Sequence, residues 1–215
     1  MADKKELERR AYSFDILGKE TEEGSIITGR PIVYNSRTDL GYFDEVIESG
    51  ALDDADLTDV RFLVNHNTSM IPLARSRRNN GNSTMQLTTD LEGLSIDVKL
   101  DTENNTDAKA LYSAVQRGDI SGMSFMFSVN DERWEGMETE HPTRHILKIG
   151  SVVEVSAVTF PAYDSTEIDA RSKAALESAR SALENARQQT AEAVETDSKE
   201  TLALEKAKFD FRSKF

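Results

Sequence analysis

The chain has 215 residues, 38% hydrophobic and 30% charged, which suits one domain of ordinary size with an appendage and leaves little room for two. Its formal net charge of −13 argues against binding nucleic acid through a basic surface, and zero cysteines remove disulfides and thiolate metal sites. No apolar run reaches the roughly 18 residues a membrane span needs, and the opening MADKKELERR is charged without a signal peptide's apolar segment, so a soluble, unexported protein is expected.

In chain order, GSIITGRPIVYNS (24–36) predicts two β-rich runs separated by Gly29, and RFLVNHN (61–67) a strand that ends in polar residues. STMQLTTDLEGLSIDVKLD predicts two strands joined at Asp90–Gly93, because Met85, Leu87 and then Leu94, Ile96, Val98 and Leu100 recur near period two. TDAKALYSAVQRGD predicts a helix with Thr106 as N-cap, ending at Gly118. Ile120–Val129 and RHILKIGSVVEVSAVTFPA are again β-rich, closing at Pro161. The order predicts an α+β fold, mostly β, with a barrel-like or strongly curved sheet and flanking helices over residues 1–165.

Residues 166–215 differ in kind. From Ser165 onward there is no Gly or Pro, and residues 167–215 hold 9 basic and 10 acidic side chains, leaving nearly all the negative charge to the body. Leu176, Ala179, Leu183, Ala186, Thr190 and Ala193 alternate spacings of three and four, a heptad seam with a thin, Ala-rich interface. The expectation is a long, charged, exposed helical tail, either simply solvated or self-associating as a coiled coil. Its last residues, KAKFDFRSKF, place three phenylalanines beside basic groups, which suits docking.

RGDISGMSFMF (117–127) sets two serines in a strand-like run. Alternation points Met123, Phe125 and Phe127 to one face and Gly122, Ser124 and Met126 to the other, so geometry favours Ser124 over Ser121 for chemistry. A strand serine is ordinarily just a small residue, and it needs a base to become a nucleophile. Three histidines are available. His66 ends an apolar strand at a sheet edge, whereas His141 and His145 stand among charged residues in ETEHPTRHIL. Their H-x₃-H spacing invites a metal reading with Glu154 or His66, but Pro142 disfavours a helix there and no H-E-x-x-H is present, so no metal is expected. Glu154 lies within the apolar VVEVSAV, where a carboxylate needs a partner. A catalytic histidine, an arginine or exposure on an edge strand would each supply the reason.

Taken in order, five blocks resemble the prohead (capsid maturation) proteases of tailed bacteriophages, of the HK97 type, thought to share a fold with the herpesvirus assemblins. They are GRPIVYNSRTDLGYFDEVIESGAL, LVNHNTSMIPLARS, LEGLSIDVKL, GDISGMSFMF and VVEVSAVTFPAYDSTEI, spanning roughly residues 12–168. The resemblance implies a serine endopeptidase with His66 as catalytic histidine, Ser124 as nucleophile and Glu154 as the third member, without a cofactor. Arg75, just after His66, is a candidate oxyanion donor, although an arginine in ARSRRNN is otherwise a solvated turn residue. Ala74 and Met126 stand where the family more often has glycine, which bears on local backbone shape. The implied substrates are the major capsid protein or its scaffolding segment, and the protease itself, inside a procapsid in the host cytoplasm. The tail would package the enzyme and then be removed. A scaffold or assembly chaperone on the same fold is the alternative of a different class.

Overall fold

The computed structural model describes residues 6–12, 16–22, 24–160 and 173–188. The chain divides into two units, Met1–Ser172 and Lys173–Phe215. The boundary expected at 165/166 falls among residues 161–172, outside the described ones.

The first unit is built from β1 (Leu7–Tyr12), β2 (Ile16–Thr21), β3 (Gly24–Val33), β4 (Arg37–Asp39), β5 (Asp44–Ile47), β6 (Asp59–Val64), β7 (Ala74–Arg77), β8 (Met85–Asp90), β9 (Gly93–Leu100), α1 (Thr106–Arg117), β10 (Gly122–Glu135) and β11 (Thr143–Val158). One sheet has seven strands, in the order β1-β10-β11-β5-β4, with β6 beside β11 and β7 beside β6. The other runs β2-β3-β9-β8. The fold is thus α+β and mostly β, but the barrel-like expectation is corrected: among the described residues the two sheets stay separate. Closure requires the outermost strands to pair with each other, and β1 and β7 of one sheet, like β2 and β8 of the other, each have a single strand neighbour.

β11 is the organising strand. Its first part pairs in parallel with β5, at Thr143–Ile146, and its last part with β6, at Glu154–Ala157, while β10 runs antiparallel along its other edge. Buried on both faces, its second half reads as the near-continuous apolar run the sequence displays. Met123, Phe125 and Phe127 of β10 are fully buried, as alternation predicts, and each large side chain so enclosed contributes about 1.5–3 kcal/mol.

Two local expectations change. The region read as two runs around Gly29 is one strand, β3, whose pairing with β9 shifts between Gly29 and Ile32. That irregularity accommodates Pro31, which has no N–H to give a ladder. The helix is capped by Asn105, not Thr106: its side chain accepts from the N–H groups of Asp107 and Ala108, and Gly118 ends the helix at φ 77. The Asp90–Gly93 hairpin stands as read. Gly93 has φ 138, and a Cβ there would lie 2.1 Å from the Ile32 carbonyl oxygen.

In the second unit residues 173–188 form a helix, α2. Leu183 is exposed on it, whereas Thr190, Ala193 and the terminal phenylalanines lie outside the described residues. No described helix is long and apolar enough to cross a membrane.

Candidate active site

Three strands and one turn bring the site together. In register, Ser124 of β10 lies between Ala11 of β1 and Ser156 of β11, and Glu154 of β11 lies between Met126 of β10 and Arg61 of β6. The β10–β11 pairing then skips Val153, a bulge that re-aims the strand beside Glu154. Ser121 precedes the strand.

His66 reaches the same place from the turn after β6. Asn65 and His66 both take left-handed conformations, φ 50 and 56, which Asn and His tolerate better than most residues. Three attachments to β11 and to Thr159 just after it hold this turn. The Asn65 N–H donates to the Ala157 carbonyl at 2.9 Å, the Asn65 side-chain amide exchanges two hydrogen bonds with Thr159, and the His66 N–H donates to Ser156 Oγ at 3.0 Å. The strained turn is therefore over-determined by its surroundings.

The side chains form a continuous chain of hydrogen bonds. His66 Nε2 is 2.6 Å from Ser124 Oγ, and His66 Nδ1 is 2.7 Å from Glu154 Oε2. Glu154 Oε1 accepts from Ser156 Oγ, so the buried carboxylate is engaged on both oxygens. Of the reasons a carboxylate could sit in VVEVSAV, the histidine is the one found here. Ser124 Oγ also lies 2.8 Å from the Arg10 carbonyl, and the residue is 1% exposed.

A hydroxyl has one proton, and this one has two acceptors within reach. With neutral His66 carrying its proton on Nδ1 toward Glu154, Ser124 donates to Nε2. With His66 protonated on both nitrogens, Nε2 donates to Ser124 and the hydroxyl donates to Arg10. The two patterns differ by one proton, and the heavy atoms keep their places in both.

Arg75 makes its side-chain hydrogen bonds with Asp59, from Nε at 2.6 Å and Nη2 at 2.7 Å. His141 and His145 are not drawn together as a ligand pair. His145 Nδ1 contacts Glu48 at 2.6 Å, and His141 Nε2 contacts Asp44 at 3.2 Å. Asp39, Asp44 and His141 have ligand atoms within 4.8 Å of one another, but Arg37 already answers the charge of Asp44. Ala74 and Met126, the two departures from glycine, both lie within strands and outside the positive-φ region, so neither forces an unusual backbone.

Sequence reasoning missed two members. Ser156 had a readable signal, because it lies two residues from Glu154 on the same strand face. The Arg10 carbonyl had none, since β1 was not foreseen among the charges of LERRAY. Arg10 is buried there and Glu8 is half-buried. Arg10 donates to Glu45 from Nε at 2.5 Å and to Glu45 and Glu8 from Nη2 at 2.7 Å each, and Arg144 donates to both oxygens of Glu8 at 2.6 and 2.8 Å, to Glu45 and to Glu132. Burial pushes the Glu8 carboxyl upward, but the hydrogen bonds from Arg144 and the nearby guanidinium charges outweigh it and hold the group at about 2.

A model of the caudovirus prohead serine protease family matches residues 12–180. No curated protein matches the chain. Among solved structures, the chain is similar to the capsid assembly protease of bacteriophage T4, with 12% identity and a TM-score of 0.41, over 74% of this chain and 100% of that one.

Proposed function

Because the chain belongs to the caudovirus prohead serine protease family, we propose that Ser124, His66 and Glu154 are its nucleophile, general base and orienting acid. The observation that carries this reading is the unbroken contact series Ser124 Oγ–His66 Nε2 and His66 Nδ1–Glu154 Oε2, at 2.6 and 2.7 Å. Neutral His66 takes the proton of Ser124 as its oxygen attacks a peptide carbonyl. The imidazolium then returns that proton to the leaving amine, and water hydrolyses the acyl-enzyme by the same route. Glu154 keeps the tautomer that leaves Nε2 free to accept and stabilises the charged ring, and Ser156 fixes the carboxylate. Arg75 serves the developing oxyanion only by turning from one of its bonds with Asp59.

The substrates in this reading are the major capsid protein or its scaffolding segment, within an assembling procapsid inside the host cell, and then the enzyme itself. Residues 1–165 are the catalytic domain. Residues 166–215, which include α2, are the packaging and self-associating tail that the enzyme afterwards removes. Neither nucleic acid nor a membrane has a part in the reaction.

Incubating the full chain with the major capsid protein proposed as its substrate, and mapping new termini by mass spectrometry, tests this directly. New termini in the capsid protein and in the chain are expected, and Ser124→Ala should yield none. Fragment patterns identical for the two proteins would reject the protease reading.

A further inference from the structure

The turn that positions His66 also forms one wall of a groove of about 500 Å³. Asn65 and Asn67, the residues on either side of His66, line it, with Met70 beyond them. The opposite wall is the outer face of α1, through Asp107, Ala110 and Ala114, spaced three and four residues apart so that all three look the same way. Val64, Leu111 and Ile120 complete the lining.

We propose that this groove is the subsite that selects the peptide to be cut, by taking a bulky apolar side chain (Leu, Ile, Met or Phe) within two residues of the scissile bond. The inference rests on the protease reading above and names what that site accepts.

Three features carry it. The first is position: Asn65 and Asn67 flank His66, so the groove is built on the same turn that holds the histidine, and Ile120 lies four residues before Ser124 on the chain that enters β10. The second is chemistry: six of the nine lining side chains are apolar. The third is shape. Ala110 and Ala114 are the smallest side chains that keep a helix stable, and larger residues there would fill the space. Asn65 is tied to Thr159, and Asn67 Oδ1 accepts from the Ser69 N–H, so this wall is fixed before a peptide arrives.

Asp107 supplies the single charge among the lining residues. It disfavours an acidic residue at the selected position and favours a basic one next to it.

The test is cleavage of a randomised peptide library by the full chain, read by mass spectrometry, followed by kcat/KM for paired peptides carrying Leu or Ala at the selected position. The wild-type chain is expected to enrich bulky apolar residues at one position within two of the cut. Ala110→Trp fills the groove from an exposed helix position and should lower the Leu-over-Ala ratio by about tenfold or more, chiefly through KM. Asp107→Lys should reverse the preference between Lys- and Glu-flanked peptides. A thermal unfolding scan confirms that each variant folds. A wild-type chain that cuts without apolar preference, or with a preference that Ala110→Trp leaves alone, overturns the groove and spares the protease. A wild-type chain that cuts no peptide and whose Ser124 takes up no small phosphonate overturns both.

Discussion

Two buried polar assemblies lie against the same three strands, and their difference is instructive. Around Glu8, Arg10, Glu45, Glu132 and Arg144, three carboxylates and two guanidinium groups pair through short contacts, two of the pairs bidentate, and the guanidinium groups of Arg10 and Arg144 also lie 5.6 and 5.9 Å from the ring centres of Phe127 and Trp134. Around Ser124, His66, Glu154 and Ser156, a line of hydrogen bonds leaves one proton with two places to go. The first arrangement ties β1, β5, β10 and β11 together. The second sets a hydroxyl, an imidazole and a carboxylate in line, the order that general acid–base chemistry uses. Arg10 belongs to both: its side chain joins the ion network, and its carbonyl accepts from Ser124.

If the division between a reacting cluster and a fastening cluster is right, their variants separate cleanly. Ser124→Ala or His66→Ala should lower kcat by about 10⁵–10⁶-fold while leaving the unfolding temperature nearly unchanged, measured by capsid protein cleavage and calorimetry side by side. A large loss of stability with activity intact would reverse the assignment. Glu154→Gln keeps the shape of the carboxylate and loses its charge, so a smaller loss, about 10³–10⁴-fold, is expected in the same assay. Full activity there would remove Glu154 from the mechanism.

The ion network should respond in the opposite sense. Glu45→Ala removes the fully buried carboxylate that two guanidinium groups share and should destabilise the fold by about 3–5 kcal/mol in urea unfolding. Acid should attack the same assembly through Glu8. Its folded pKa of about 2 lies below the ordinary 4.5, so its contribution is complete above pH 4.5 and is lost as pH falls through the folded value. That is about 3 kcal/mol between those limits, and Glu8→Gln should flatten that part of the stability–pH curve. Ser121→Ala, just outside β10, should change stability by less than about 0.5 kcal/mol and leave cleavage rates as they are. A Ser121 effect comparable to that of Ser124 would undo the strand-face argument.

Much of the architecture was legible because alternation and turn chemistry are local signals. β6, β8, β9, α1 and both long strands of the main sheet fall where periodicity puts them, and side-chain direction favoured Ser124 over Ser121 before the family resemblance picked the same residue. β1 escaped because its charges mimic a solvated terminus. The network that neutralises them draws on Glu45, Glu132 and Arg144, residues up to 136 positions away, and no local window contains them. The barrel expectation failed for a related reason: a strand count does not say which outer strands pair.

The sequence by itself determined the long strands and the helix, the acidic body with its near-neutral tail, and the short roster of groups able to do acyl transfer. Those properties depend on residue type and spacing, which survive without contacts. Tertiary structure decided that the parallel pairing of β6 with the end of β11 carries His66 to Ser124, that Glu154 and Ser156 meet it from behind, and that Arg75 turns to Asp59. Hydrogen bonds between residues 58 and 88 positions apart are set by strand register, and register is a property of the packed sheets as a whole.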